Sequence, residues 1–285
     1  MSLELIFLGT GTSAGIPMIA CDCNVCTSAD PRDNRTRPSV LIQYQSDDPN
    51  APDTAQRQFI VDTSPELRQQ CIREKLTRID GVFITHNHAD HILGLDDLRR
   101  FNASMDAPIN LYAEASVLER LHQMFLYIFE PHRNVNKNSF VASLIPQPID
   151  IGKPLDFFGA TFTPLRLMHG RLPIFGLRID YQNRSLAYCT DVSTIPPETY
   201  PYLQNLDILV IDALRFRHHP THLTVDQALD IVHNVQPKEA YFTHMTHDIK
   251  HADLEPELPE NVHLAYDGLK LSLPAHTKQN GLTID

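Results

Sequence analysis

The chain has 285 residues, enough for one large domain or two small ones, and its balance of 42% hydrophobic to 21% charged residues is that of a globular protein with a substantial core. A formal net charge of −11 argues against broad, sequence-independent nucleic-acid binding, which needs Lys and Arg against phosphates; it leaves room for a small anionic substrate, since divalent cations in a cleft would dominate the local field. The start, Met1-Ser2-Leu3-Glu4-Leu5-Ile6-Phe7-Leu8-Gly9, lacks the basic n-region and long apolar run of a signal peptide, and no stretch approaches the ~20 apolar residues of a membrane span, so a soluble cytoplasmic protein with no membrane partner is expected.

In chain order, an apolar run over 3–8 ending in Gly9-Thr10-Gly11 predicts a strand and turn. Residues 40–44 and 59–62 read as a strand pair, separated by a loop over 46–56 rich in Asp, Pro and Asn. Ser64-Pro65 predicts a cap and first turn for a helix over 65–76. A strand over 81–85 delivers the chain to His86, and a helix is expected over 92–101. A strand over 109–113, a helix over 115–128 and an irregular loop over 135–148 follow. Strands are predicted over 155–167, 176–181, 185–189 and 206–211, with Gln182-Asn183-Arg184 as a turn. A helix over 224–235 is capped by Thr224 and stopped by Pro237, and strands over 240–243, 263–265 and 269–273 complete the pattern. Strands outnumber helices, which implies two sheets with helices outside, in one domain over 1–273 with a tail over 274–285.

The segment Thr85-His86-Asn87-His88-Ala89-Asp90-His91 places four ligand-type residues within six positions, directly after a strand. On a tight loop His86 and His88 can face one metal while Asp90 and His91 face a neighbour, a donor set suited to zinc, manganese or iron. Two metals need further ligands, and strand ends are where a rigid backbone aims them. His169, Asp191 and His244 each end a largely apolar strand, and the carboxylate of Asp191 is suited to bridging. Asp62 is a candidate acceptor behind one of the ligand histidines. Five cysteines are present, three of them in Cys21-Asp22-Cys23-Asn24-Val25-Cys26. This cluster reads as a zinc site needing one more ligand, for which His247 is the choice. Cys71 and Cys189 read as core residues.

The order H-x-H-x-D-H, then His, Asp and His, resembles the metallo-β-lactamase superfamily over nearly the whole chain. The resemblance implies a four-layer αββα sandwich. It implies one metal held by His86, His88 and His169, a second held by Asp90, His91 and His244, and Asp191 between them. Within the superfamily, Gly9-Thr10-Gly11-Thr12-Ser13, Gly15-Ile16-Pro17, the three cysteines and Thr243-His244-Met245-Thr246-His247 resemble the PhnP-type phosphodiesterases. That resemblance implies hydrolysis of a small cyclic phosphodiester such as 5-phosphoribosyl 1,2-cyclic phosphate, two active-site zinc or manganese ions, one structural zinc, and a homodimer as the assembly. The departures are the 46–56 insertion and the tail. Two alternatives are a ribonuclease Z-like nuclease, whose long basic arm has no counterpart in the sequence, and a non-hydrolytic metal-binding accessory protein of the pyrroloquinoline-quinone type B kind, whose catalytic motif diverges.

For the chemistry, Asp90 is expected to orient the nucleophile as well as bind metal, and His222 to protonate the leaving oxygen, since the resembled families place a catalytic histidine there. His218 and His219 are weaker alternates, and Arg215 and Arg217 are candidate phosphate contacts.

Overall fold

The computed structural model describes residues 2–46, 56–136 and 140–274. Two seven-stranded mixed sheets face one another. The first contains β1 (Ser2–Gly9), β2 (Ser39–Gln45), β3 (Gln56–Val61), β4 (Gly81–Phe83), β5 (Ile109–Ala113) and β6 (Leu144–Pro148), in that spatial order, with β14 (Lys270–Pro274) at the outer edge of β1. The second runs from β7 (Leu155–Phe157) through β8 (Ala160–His169), β9 (Leu172–Tyr181), β10 (Arg184–Cys189), β11 (Ile208–Asp212) and β12 (Glu239–Thr243) to β13 (Val262–Leu264).

Three packed clusters explain the layering. Between the sheets, Phe7, Tyr44, Phe59 and Phe83 meet Phe162, Phe175, Leu177 and Tyr188. Ile6, Leu41, Ile60 and Val82 point to the other face of the first sheet, under α1 (Leu67–Arg73), α2 (Ala89–Ile92), α3 (Arg99–Met105), α4 (Ala115–Met124) and α5 (Leu126–Phe129). Leu209, Ile211 and Phe242 pack under α6 (Val225–Val235) and α7 (His251–Leu254). The two-residue periodicity of the strands thus feeds one core between the sheets and one core under each helical layer, giving the expected αββα sandwich.

Several expectations need correction. The helix over 65–76 starts later, with Glu66 as its N-cap, because the Ser64 hydroxyl is spent on Gln70. The helix over 92–101 is broken into α2, a 3₁₀ turn at Leu95–Leu98 and α3. The break is at Gly94, where a Cβ would meet the Ser64 carbonyl at 2.2 Å. The helix over 115–128 divides at Phe125. The strand over 155–167 is a hairpin, turned by Phe158 and Gly159 at positive φ. The last part of the 135–148 loop is the strand β6, paired in parallel with β5. The Thr224 cap is present as a capping box with Gln227, and the turn at Gln182 and Asn183 has both residues at positive φ. The interior of the 46–56 loop (47–55) and the tail beyond Pro274 lie outside the described residues.

Candidate metal centre

β3, β4, β8, β10, β11 and β12 end at one rim of the sandwich, and each leads directly into residues of the site. Asp62, Asp191 and His244 follow strands β3, β10 and β12 with φ of 65°, 57° and 61°. A left-handed backbone at three non-glycine positions is costly and turns each side chain sharply off its strand, the kind of strain that persists where surrounding contacts over-determine it.

His86, His88 and His169 bring one nitrogen each into a group whose donor atoms lie within 4.8 Å of one another, and Asp90, His91, Asp191 and His244 form a second such group. All seven expected ligands therefore converge. All are buried except His88, which is exposed at the mouth. Nε2 of His91 lies 3.1 Å from Asp191 Oδ2 and 3.4 Å from Asp90 Oδ2, and Nε2 of His244 lies 3.3 Å from Asp191 Oδ1. Yet Nε2 of His86, His91 and His244 makes no hydrogen bond. Buried polar atoms that crowd together without pairing fit a shared cation rather than one another.

In His86, His91 and His169 the Nδ1 atoms are occupied in a way that fixes the free Nε2, whereas Nδ1 of His244 has no partner among the described residues. His91 Nδ1 meets Asp62 Oδ2 at 2.7 Å, and Asp62 also accepts the Thr85 amide at 2.8 Å. His169 Nδ1 donates toward the carbonyls of Asp191 and Thr221, 3.0 and 2.9 Å away. His86 Nδ1 lies 3.1 Å from the Thr85 hydroxyl. Each arrangement leaves Nε2 for the cation.

The charge balance agrees. Burial pushes His86 well below its ordinary pKa and His169 down to about 4, which keeps both imidazoles in the neutral, ligating form. Burial opposes charge on His91 and His244 too. There the carboxylates win: Asp191 and Asp62 hold His91 well above its usual value, and Asp191 with Asp90 raises His244 to about 9. The buried carboxylates therefore favour positive charge at this point, which divalent cations would supply.

His222 reaches the same rim. Its ring centroid is 4.7 Å from those of His169 and His244, and its Nδ1 is 2.7 Å from Asp212 Oδ2. Burial pushes the Asp212 carboxyl up while His222 pulls it back. Asp212 was not singled out in the sequence, although it ends an apolar strand just as Asp191 does. The His219 ring lies 5.0 Å from that of His222, tilted by 48°, and meets the Thr221 hydroxyl, whereas His218 is exposed. Arg215, Arg217, Thr12, Ser13 and His222 line a cavity of about 230 Å³ beside the centre. Arg215 is spent bracing its own loop, through the carbonyls of Arg217 and His218, and Arg217 sits at the rim 3.5 Å from Asp248.

The three cysteines and His247 form a separate group. Sγ of Cys21, Cys23 and Cys26 lies 3.1, 3.5 and 3.7 Å from His247 Nδ1. A tetrahedral zinc with ordinary bond lengths sets S···N at about 3.5 Å. Amides of Met18 and Cys26 donate to Cys26 and Cys23 sulfurs. Cys71 and Cys189 are buried core residues. Beneath the group, the fully buried guanidinium of Arg35 donates to the carbonyls of Thr246 and Ile249 and pairs with Asp33, so the cysteine loop and the His244–His247 segment share one anchor.

Comparison with known proteins identifies the fold and the family. Residues 57–245 match the model of the β-lactamase superfamily domain. A crystal structure of a new diphosphatase from the PhnP family superposes with a TM-score of 0.84 and 39% identity, over 96% of this chain and 98% of that one. The zinc-bound PqqB of Methylobacterium extorquens shares the fold, with a TM-score of 0.73 at 18% identity over 95% of this chain and 100% of that one. A protein of Porphyromonas gingivalis named octanoyltransferase is 35% identical over 94% of this chain, and the chain spans about half (51%) of that relative's length. On the matched domain, the near full-length likeness to the diphosphatase and the convergent ligand set, the chain belongs to the metallo-β-lactamase superfamily and, within it, to the PhnP family.

Proposed function

We propose that the chain is a binuclear metal-dependent hydrolase acting on a small phosphodiester, of which 5-phosphoribosyl 1,2-cyclic phosphate is the leading example. The observation that carries this reading is the pairing of two convergent ligand groups with a buried His222–Asp212 couple at the same rim. His86, His88 and His169 would hold one cation, and Asp90, His91 and His244 the other, with Asp191 shared. Bound divalent cations supply Lewis acidity toward phosphoryl oxygens and lower the pKa of water.

The chain's own residues supply the rest. Asp90 sits between the two histidines of its group and is placed to orient the nucleophile. Asp212 holds His222 in the orientation that leaves Nε2 to hand a proton to the leaving oxygen, and it stabilises the ring while both nitrogens carry protons. Asp62 fixes the His91 ring from behind. Cys21, Cys23, Cys26 and His247 would hold a structural zinc.

Likeness to the PhnP-family diphosphatase supports a second reading, a phosphoric anhydride as the scissile group. Purified protein loaded with Mn²⁺ or Zn²⁺ would be assayed on bis(p-nitrophenyl) phosphate, a cyclic ribose phosphate, a dinucleoside diphosphate and a tRNA precursor. Turnover of the first two supports the phosphodiesterase, and turnover of the anhydride alone supports the second reading. Turnover of the tRNA precursor alone, or of nothing, defeats both.

A further inference from the structure

A second hollow of about 750 Å³ lies between α1 and α3, on the helical face of the first sheet and apart from the metal centre. Its walls are the side chains of Leu67, Cys71, Leu76 and Phe101, and Ile72 is 61% exposed within it. Arg68, Lys75 and Arg100 line it as well, and all three are exposed. Arg68 and Lys75 make no ion pair among the described residues, whereas the neighbouring Arg99 is committed to Asp96 at 2.8 Å. Asp97 is the one carboxylate in the lining. In a chain of net charge −11, four cations in the lining, three of them outside the Arg99–Asp96 pair, against one carboxylate is a local reversal of sign.

We infer that this hollow binds a single-chain anionic amphiphile, with an acyl or alkyl chain of medium length against the apolar walls and a carboxylate or phosphate head at Arg68, Lys75 and Arg100. The volume is within the about 300–1,000 Å³ of ligand pockets, and apolar walls with a few polar groups at one side are what such pockets share. Inorganic phosphate would leave Ile72 and the half-buried Leu76 facing water, and a neutral alkane would leave the cations unmatched, so the two features select together for an amphiphile. The site rests on none of the metal ligands and is independent of the proposed hydrolase reaction.

The chain has no tryptophan, so a Thr77→Trp substitution at the exposed rim gives a reporter free of background emission. Hexanoate, octanoate and decanoate would be titrated below their micelle concentrations, with octanol, inorganic phosphate and anionic lipid vesicles as further arms, and calorimetry on the unsubstituted chain as the second measurement. Burial of each methylene is worth ~0.8 kcal/mol, so each added CH₂ is expected to tighten binding about fourfold. Arg68→Glu combined with Arg100→Glu is expected to weaken octanoate about tenfold and leave octanol unchanged, with the thermal melt close to that of the parent. Affinity independent of chain length, equal binding of inorganic phosphate, insensitivity to the charge reversal, or association with vesicles alone would each overturn the assignment.

Discussion

Nδ1 of His222 meets Asp212 at 2.7 Å, and the same carboxylate oxygen accepts the amide of Val192, the residue after Asp191. One buried oxygen thus ties the proton-donating ring to the loop that carries the shared ligand. Asp212→Asn would keep the shape while removing the charge that stabilises the doubly protonated ring. Turnover is expected to fall about 10–100-fold, less than the about 10²–10⁴-fold expected of His222→Ala, with metal content unchanged in both. Steady-state kinetics beside elemental analysis checks this, and parallel loss of metal and turnover would remove His222 from the proton-transfer role.

Asp62 touches no ligand-binding nitrogen itself; it acts through Nδ1 of His91 and the Thr85 amide. Asp62→Asn is expected to weaken the metal held with His91 by about 10–100-fold, the usual cost of losing such a partner. Competition against a graded series of chelators measures it. An unchanged affinity would show that the His91 ring is held by packing alone.

Cys23→Ser is expected to remove one zinc per chain and to lower the melting temperature, since a structural zinc depends on its complete tetrahedral set. The test is metal stoichiometry before and after the change. A stoichiometry equal to the parent's would refute a zinc held by Cys21, Cys23, Cys26 and His247.

Asp207 accepts from the Ser185 amide at 2.9 Å and pairs with Lys238 at 2.6 Å and Arg184 at 3.1 Å. Burial opposes its ionisation, but Lys238 and the Ser185 amide hold the carboxyl below its ordinary value of 3.8. A carboxyl depressed by folding stabilises fully above the unfolded value, and that contribution disappears as pH falls through the folded one. Asp207→Asn is therefore expected to cost about 1–3 kcal/mol at neutral pH and to flatten the stability profile below pH ~4. Urea unfolding at several pH values gives the comparison, and an identical acid slope in both proteins would contradict it.

The site was legible wherever ligand chemistry coincided with a strand end. His86, His169, Asp191 and His244 were found by that rule, and the structure brings them together. Asp212 obeys the same rule, but its partner, His222, is ten residues away and the pairing depends on a loop path that spacing does not encode. Arg35 carried no signal either: its role as a fully buried anchor depends on three loops meeting around it. Among the helices, periodicity marked the apolar faces but not the breaks. At the interruption the Gly94 amide donates to the Thr63 carbonyl and the Ser64 carbonyl leaves no room for a Cβ, an approach between segments thirty residues apart.

Neither sheet owns a complete cation site. His86, His88, Asp90 and His91 leave the first sheet, whereas His169, Asp191 and His244 leave the second, so each ligand group straddles the seam between the halves of the sandwich. A chain severed in the turn between β6 and β7 would yield fragments that each lack part of both ligand groups. Recovery of metal uptake on mixing them would then act as a clock for reassembly, timing the moment at which the two layers lock together.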